Sequence, residues 1–164
     1  MNDVKDVAAD LTTVLEQTVA ALDAITEAES LRDRGPGSWS RKQVLGHLVD
    51  SALNNLHRFV RAQQAAELAF PGYDQQAWVA AGGYQDRPWP SIVRLWAELN
   101  RQVAHVVSRI PPGRLATRCR IGDGQLVTLE FIARDYVKHL RHHLEQILDP
   151  EASKGKKYSS FAEP

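Results

Sequence analysis

The chain has 164 residues, of which 43% are hydrophobic and 24% are charged. These are the proportions of an ordinary globular protein, and they exclude a disordered chain or one embedded in a membrane. The 20 basic residues balance the 20 acidic ones, so no general electrostatic attraction favours nucleic acid or an anionic membrane surface. We expect one domain over residues 1–150, followed by a flexible C-terminal tail over residues 151–164.

The cysteine content and the first residues predict the cellular compartment. The single cysteine, Cys119, cannot form a disulfide within the chain, which suits a reducing compartment. The starting sequence, MNDVKDVAADL, has neither a basic start nor an apolar run, so we expect no secretory signal. No stretch approaches the ~20 apolar residues that a membrane span needs. We therefore expect a cytoplasmic protein. No residue near Cys119 in the sequence indicates that its thiol acts as a nucleophile.

Apolar residues recur at helical spacing in four segments, which predict four long helices. Ser40 and Gln43 have the pattern of a capping box at the start of the second helix, and Thr128 can cap the fourth. A tight turn is expected at Gly122-Asp123-Gly124, and no region is rich in strand signals. In chain order, the predicted helices cover about residues 4–25, 41–66, 90–110 and 129–149.

Four amphipathic helices without strands predict an all-α four-helix bundle. The connection between the second and third helices, Glu67 to Trp89, has roughly 20 residues and could span ~60 Å at ~3.3 Å per residue. The second helix is only roughly 40 Å long at ~1.5 Å per residue. The connection can therefore cross the whole bundle and leave the second and third helices parallel, in an up-down-down-up order.

Three histidines are candidate metal ligands. His139 and His143 are four residues apart on the fourth helix, so they share one face and can turn ring nitrogens toward one ion. In an up-down-down-up bundle the second and fourth helices are antiparallel, which brings His47 to the same level. Three imidazoles would leave the fourth position of a tetrahedral ion for water or substrate. The histidine pair alone is a weak signal, because surface and core histidines are the common alternative.

His47 lies on a polar stripe of the second helix, nearly opposite its apolar residues. The stripe also carries Ser51, Asn54 and Arg58. A solvated face is the simpler interpretation of this stripe, whereas the metal hypothesis requires it to line a groove between helices. The histidines that fit no ligand geometry, and that we expect to be structural or exposed, are His57, His105 and His142.

Three segments resemble the DinB/YfiT-like superfamily. They are HLVDSALNNLHRF from His47, YDQQAWV from Tyr73 and KHLRHHLEQI from Lys138. The middle one is similar to the crossover segment of the YfiT, or bacillithiol-transferase-like, branch. The chain departs from that branch at Gln146, where another histidine is often found, and this leaves the identity of the thiol open.

The resemblance implies an up-down-down-up bundle with a three-histidine divalent metal site, whose matching positions are His47, His139 and His143. It also implies a metal-dependent thiol transferase or a related isomerase, in which the metal binds a small thiol as thiolate and lowers its pKa. Zinc or nickel is the expected ion, and a low-molecular-weight thiol and an electrophile are the expected partners. Hydrolysis, and a non-catalytic metal-binding bundle that acts as an interaction module, are alternatives. The oligomeric state stays open, with a homodimer as one alternative.

Other residues near the predicted ligands have candidate roles. Asp50 could orient a ligand or act as a base, and Asn54 and Arg58 could bind a substrate carboxylate. Trp78 in the crossover, or Trp39 before the second helix, could cover the pocket, and Asn54 and Trp78 are the candidates for binding the small thiol as a cofactor. A solvated acid, a surface arginine and an ordinary packed tryptophan are the respective alternatives.

Overall fold

Four long helices make up most of the protein, whose computed structural model describes residues 4–156. The helical bundle predicted from the sequence is confirmed. None of the helices within these residues is both long and apolar enough to cross a membrane. In chain order the elements are α1 (Val4–Asp23), α2 (Glu27–Ser30), α3 (Arg41–Arg61), β1 (Glu67–Phe70), α4 (Gln75–Gly82), α5 (Trp89–Ser108), β2 (Arg118–Ile121), β3 (Val127–Thr128) and α6 (Leu129–Leu148).

Side-chain caps define where α3 and α6 begin. The Ser40 hydroxyl accepts the backbone N–H of Gln43 at 3.2 Å, and the Gln43 side-chain oxygen accepts the N–H of Ser40 at 3.0 Å. The Thr128 hydroxyl accepts the N–H of Phe131 at 3.1 Å. Both caps satisfy amides that have no partner inside the helix. The two predicted helix starts are therefore confirmed.

The apolar faces of the long helices form one core. Helices α1 and α3 each pack against both α5 and α6. The rings of Phe59 and Tyr136 meet edge to face across α3 and α6, with centroids 5.8 Å apart. This packing brings the start of α3 and the second half of α6 within reach of each other. The largest fully buried apolar side chains are Trp89, Trp96, Phe59, Leu11, Leu22, Leu45, Leu48, Ile92, Leu129 and Ile132.

A small three-stranded sheet lies in the connections between the long helices. Its order is β1-β2-β3, with β1 parallel and β3 antiparallel to β2. The expectation of a bundle without strands is therefore wrong. Each strand has at most four residues, too few for an alternating pattern to stand out from a loop. The predicted tight turn is confirmed between β2 and β3, where the N–H of Gly124 donates to the carbonyl oxygen of Ile121 at 3.0 Å.

The long connection between α3 and α5 folds back onto α3 instead of running extended. The ring of Tyr84 fills a slot between Gly46 of α3 and Gly82 of α4. A Cβ atom would lie 2.1 Å from the ring at Gly46 and 2.4 Å from it at Gly82. A glycine inside a helix costs about 0.5–1 kcal/mol relative to alanine. The close approach of Tyr84 explains why α3 contains one.

The residues after α6 fold against its end as far as the structure describes them. Ser153 is buried, and its hydroxyl donates to the carbonyl oxygen of Pro150 at 3.0 Å. Lys156 forms an ion pair with Glu145 at 2.5 Å. The predicted flexible tail began at residue 151, and its part over residues 157–164 lies outside the described residues.

We predict that Gly46→Ala destabilises the protein, although alanine is the better helix former. The new methyl group would displace the Tyr84 ring, and overpacking of this kind typically costs about 1–3 kcal/mol, against about 1 kcal/mol of helix propensity gained. Urea denaturation followed by circular dichroism measures the difference. Gly113→Ala is the matched control, because no atom lies within 4 Å of its added Cβ. A midpoint for Gly46→Ala that equals or exceeds that of the unmodified protein would contradict the tight fit.

Candidate metal centre

Three histidine rings meet between α3 and α6. The Nε2 atoms of His47 and His139 are 3.3 Å apart. The ring centroids of the pairs 47–139, 47–143 and 139–143 are 5.2, 4.8 and 4.5 Å apart. One nitrogen from each of His47, His139 and His143 lies within 4.8 Å of the others. Among the described residues, these form the one group of three or more His, Cys, Asp or Glu side chains close enough to share an ion.

The spacing and the charge of these nitrogens fit one divalent ion. Two nitrogens bound at ~2.0–2.1 Å to a tetrahedral ion are about 3.3–3.4 Å apart, which matches the separation of His47 and His139. Burial, helped by the nearby His139 and His47, lowers the pKa of His143 to about 3. The ring is therefore neutral, as a ligand must be. Three imidazoles are a donor set that suits zinc and nickel.

Gln146 fixes the orientation of His143. Its side-chain oxygen accepts a hydrogen bond from Nδ1 of His143 at 2.8 Å, and its amide nitrogen donates to Nε2 of His142 at 3.1 Å. This assignment satisfies both contacts and leaves the lone pair of His143 Nε2 for an ion. Burial, followed by the charge of His139, lowers the pKa of His142, which suits its role as an acceptor. His142 thus lies outside the group of three, as expected, but touches it through Gln146.

Three of the four residues of the polar stripe of α3 are buried inside the bundle, and the fourth, Asn54, is half-buried. The exposed fractions of His47, Ser51 and Arg58 are 0%, 1% and 2%. Asn55 joins the stripe, because its side-chain oxygen accepts a hydrogen bond from Arg58 at 3.3 Å and its amide donates to the carbonyl oxygen of Ser51 at 2.9 Å. The interpretation of this stripe as a solvated face is therefore wrong. Residues 44–52 of α3 are all buried, so a polar stripe here indicates a built interior site.

Asp50 lies in the same interior, next to a residue that the sequence did not single out. Asp50 is 3% exposed, and the Tyr84 hydroxyl donates to its Oδ1 at 2.6 Å. Burial first, and then the hydrogen bond to Asp50, raise the pKa of Tyr84 well above its ordinary value. The one signal that could have pointed to Tyr84 is Gly46, a glycine inside a helical pattern beside His47.

The contacts of Asn54 and Trp78 are with residues other than the three histidines. The Asn54 amide donates to the backbone oxygen of Asp50 at 2.9 Å, within α3 itself. Trp78 is 40% exposed and packs on Tyr73, with ring centroids 5.3 Å apart. Their roles in binding a cofactor stay predictions.

Trp39 is the tryptophan that contacts the site. Its ring centroid is 5.3 Å from that of His47, and its indole N–H donates to the side-chain oxygen of Gln76 in α4 at 3.1 Å. Trp39 therefore covers one side of His47 and is itself held by the connection. Cys119 is fully buried in β2, and burial raises the pKa of its thiol to about 11, which fits the expectation that it is no nucleophile.

A protein-family model matches most of the chain. Residues 10–147 match the model described as the DinB superfamily. The chain belongs to the DinB superfamily. This confirms the resemblance seen in its helix motifs, and the matched range includes all three histidines of the candidate metal centre.

Two curated relatives of this DinB-superfamily chain carry similar names. The "Putative metal-dependent hydrolase YfiT" of Bacillus subtilis is 25% identical over 141 residues, which are 83% of this chain and 79% of the relative. The "Putative metal-dependent hydrolase BH0277" of Halalkalibacterium halodurans is 22% identical over 138 residues, 84% of this chain and 80% of the relative. Each alignment covers most of both proteins.

A solved structure has the same fold. It is that of YfiT from Bacillus subtilis, described as "a probable metal-dependent hydrolase with an unusual four-helix bundle topology". The TM-score is 0.71 at 22% identity, and the match covers 94% of this chain and 85% of that one. At this identity the likeness shows the fold.

We predict that His143 is a neutral Nδ1–H tautomer at pH 7 and remains so at pH 5. Its lowered pKa disfavours the protonated ring, so acidification through the ordinary range near 6.5 should leave it uncharged. Long-range ¹H–¹⁵N spectra of metal-free protein report the tautomer. Gln146→Leu removes the acceptor for Nδ1–H and should shift the ring toward the Nε2–H form, whereas Gln102→Leu, at an exposed position of α5, should not. An Nε2–H ring in the unmodified protein would refute the orientation given to Gln146.

Proposed function

We propose that this DinB-superfamily chain is a metal-dependent enzyme that activates a small thiol or a water molecule for attack on a small electrophile. Thiol transfer is the reaction we favour, with hydrolysis or isomerisation as related outcomes. The observation that carries the proposal is the meeting of three ring nitrogens, within 4.8 Å of one another, inside the bundle. The names of the two curated relatives, each a "Putative metal-dependent hydrolase", support a metal-based reaction.

His47, His139 and His143 would hold the ion, with zinc or nickel as the ions that this donor set favours. When bound, the ion would supply Lewis-acid chemistry and lower the pKa of a thiol or water, so that it can act as a nucleophile near neutral pH. Helix α6 would supply two of the ligands, His139 and His143, and α3 would supply the third, His47. Of the three rings, His143 is the half-buried one, so a small molecule would approach past it.

The buried polar groups of α3 would handle the reacting molecules. Asp50 would accept the proton that the nucleophile gives up, since its carboxylate is buried one turn from His47. Arg58 would bind an anionic group of the substrate, because a buried guanidinium favours a carboxylate partner. Asn54 and Trp78 keep their proposed supporting roles in binding the thiol.

We also propose that the helices follow an up-down-down-up order. The parallel strands β1 and β2 follow α3 and α5 respectively, and the N–H of Arg118 donates to the carbonyl oxygen of Ala66 at 3.1 Å. This pairing is expected if α3 and α5 end at the same end of the bundle. The indole N–H of Trp89 donates to the carbonyl oxygen of Leu22 at 2.8 Å, which joins the end of α1 to the start of α5. The antiparallel α3 and α6 of this order account for the level shared by the three histidines.

A second candidate function is a non-catalytic metal-binding bundle. The observation that favours it is the burial of His47 and His139, which are 0% and 3% exposed, beneath Trp39. A closed site of this kind would fix α3 to α6 and present no reactive position. The two candidates differ in whether an exogenous molecule can reach the ion.

We predict that the protein binds about one divalent ion per chain. His→Ala at position 47, 139 or 143 should each abolish tight binding, because two imidazoles cannot hold the ion as three do. His142→Ala and the exposed His105→Ala are the controls and should retain it. Elemental analysis of protein purified without an affinity tag gives the stoichiometry. Full metal content in the triple variant at positions 47, 139 and 143 would refute the ligand assignment.

We predict that thiol transfer or hydrolysis requires the metal. The measurement is a panel of several small thiols and electrophiles, together with ester and amide hydrolysis, run with metal-loaded protein, metal-free protein and His143→Ala. Only the metal-loaded protein should raise the reaction rates above background, and chelation should abolish this increase. Arg58→Gln should lower the rates with acidic substrates more than those with neutral ones. The panel needs more than glutathione, because an absent native thiol would imitate inactivity.

Equal background rates for all three proteins, across every thiol and for water, would reject the enzyme and favour the non-catalytic bundle. Activity confined to hydrolysis would retain the enzyme but reject thiol transfer. The Arg58→Gln result is judged only on variants whose thermal unfolding matches that of the unmodified protein.

A further inference from the structure

Tyr84 touches α3 on both sides of His47. Its ring lies against Gly46, the residue before His47, and its hydroxyl donates to Asp50, three residues after His47, at 2.6 Å. The contact is long-range, since 34 residues separate Tyr84 from Asp50. A residue of the connection therefore fixes the turn of α3 that carries one of the three histidines.

Asp50 has the chemistry of a metal ligand but stands outside the group of three. Carboxylate oxygens bind zinc readily, and residues three apart on a helix are neighbours on its surface. Within the described residues, the side chains close enough to share an ion are the three histidines, and Asp50 is not among them. If Asp50 joined the three histidines as a fourth ligand, it would fill the position on the ion that a thiol or water needs.

We propose that Tyr84 is a positioning residue that holds the Asp50 carboxylate beside the three-histidine centre and out of its ligand set. A fourth position on an ion held by the three histidines would thereby stay open to a small molecule, and Asp50 would stay available to accept a proton. The inference rests on the proposed function in one respect, namely that His47, His139 and His143 hold the ion.

The packing of the ring makes this contact rigid. Gly46 and Gly82 leave no room for a Cβ atom on either side of the ring, so the ring has little freedom to move or rotate away. The position of the ring then fixes the position of the hydroxyl, which donates a hydrogen bond to Oδ1 of Asp50. The raised pKa of Tyr84 keeps the hydroxyl protonated, and so donating, at any physiological pH. Rotation of the carboxylate toward the histidines would break this buried hydrogen bond.

The test uses cobalt(II)-loaded protein and 2-mercaptoethanol as the probe thiol. Binding of the probe is followed by its thiolate-to-cobalt charge-transfer band, and the ligand set by the visible d–d bands. Tyr84→Phe keeps the ring in its slot and removes only the hydroxyl. We expect altered d–d bands and probe binding at least about tenfold weaker, the scale of other changes around metal ligands. Adding Asp50→Asn to Tyr84→Phe should restore the d–d bands of the unmodified protein, because the carboxylate that enters the ligand set is gone.

Tyr136→Phe is the matched control. It also removes a buried tyrosine hydroxyl, which donates to Asn100 at 2.5 Å, but leaves Asp50 untouched. Its d–d bands and probe binding should equal those of the unmodified protein. Asp50→Asn alone gives a second test that does not depend on Tyr84→Phe folding. Its d–d bands should be unchanged, because Asp50 is not a ligand.

The outcomes separate this inference from the proposed function. Unmodified protein that binds no cobalt overturns both. Cobalt bound normally, with Tyr84→Phe binding the probe as well as the unmodified protein, overturns the inference alone. Altered d–d bands in Tyr84→Phe that Asp50→Asn fails to restore also overturn the inference, since the effect would then come from packing. Loss of a ligand band in Asp50→Asn would overturn it as well.

Discussion

Three imidazoles that face one another between α3 and α6 are the constraint on which the rest of this structure depends. Two Nε2 atoms only 3.3 Å apart cannot both present lone pairs without repulsion unless a proton or a cation lies between them. A divalent ion resolves this conflict for all three rings at once. Binding would also join α3 to α6, so metal affinity and bundle stability are linked. The site is thus a part of the core as much as a place for chemistry.

The surroundings of the histidines come from parts of the chain that are distant in sequence. Gln146 orients His143 from one turn further along α6. Trp39 covers His47 from the segment before α3, and is held by Gln76 of α4. Tyr84 reaches the same turn of α3 from the end of the long connection. Side chains of the connection therefore build one wall of the site.

The sequence predicted the parts of this architecture that rest on local chemistry. The caps at Ser40 and Thr128 follow from side chains that satisfy nearby amides, and the spacing of His139 and His143 places them on one face of a helix. The prediction that His47 lies at the same height in the bundle as His139 and His143 required an additional argument from the length of the connection. The DinB resemblance rested on the same helix motifs, and the family match over residues 10–147 confirms it.

The features that sequence reasoning missed depend on contacts between distant segments. Periodicity shows which face of α3 is apolar, but a helix covered on both sides buries its polar face too, and Ser51 and Arg58 looked like surface residues for that reason. The strands are too short to leave a pattern. Tyr84 has no local motif, and only the glycine at position 46 hints that another side chain needs the space.

The central claim is that three imidazoles bind one ion and leave a position open. X-ray absorption at the metal edge of zinc-loaded protein tests it most directly, because the spectrum counts imidazole ligands and identifies the remaining atoms. The account predicts three imidazole nitrogens at ~2.0–2.1 Å and one further light atom, replaced by sulfur when a small thiol is added. Fewer than three imidazoles, or a first shell that stays unchanged at saturating thiol, would contradict it.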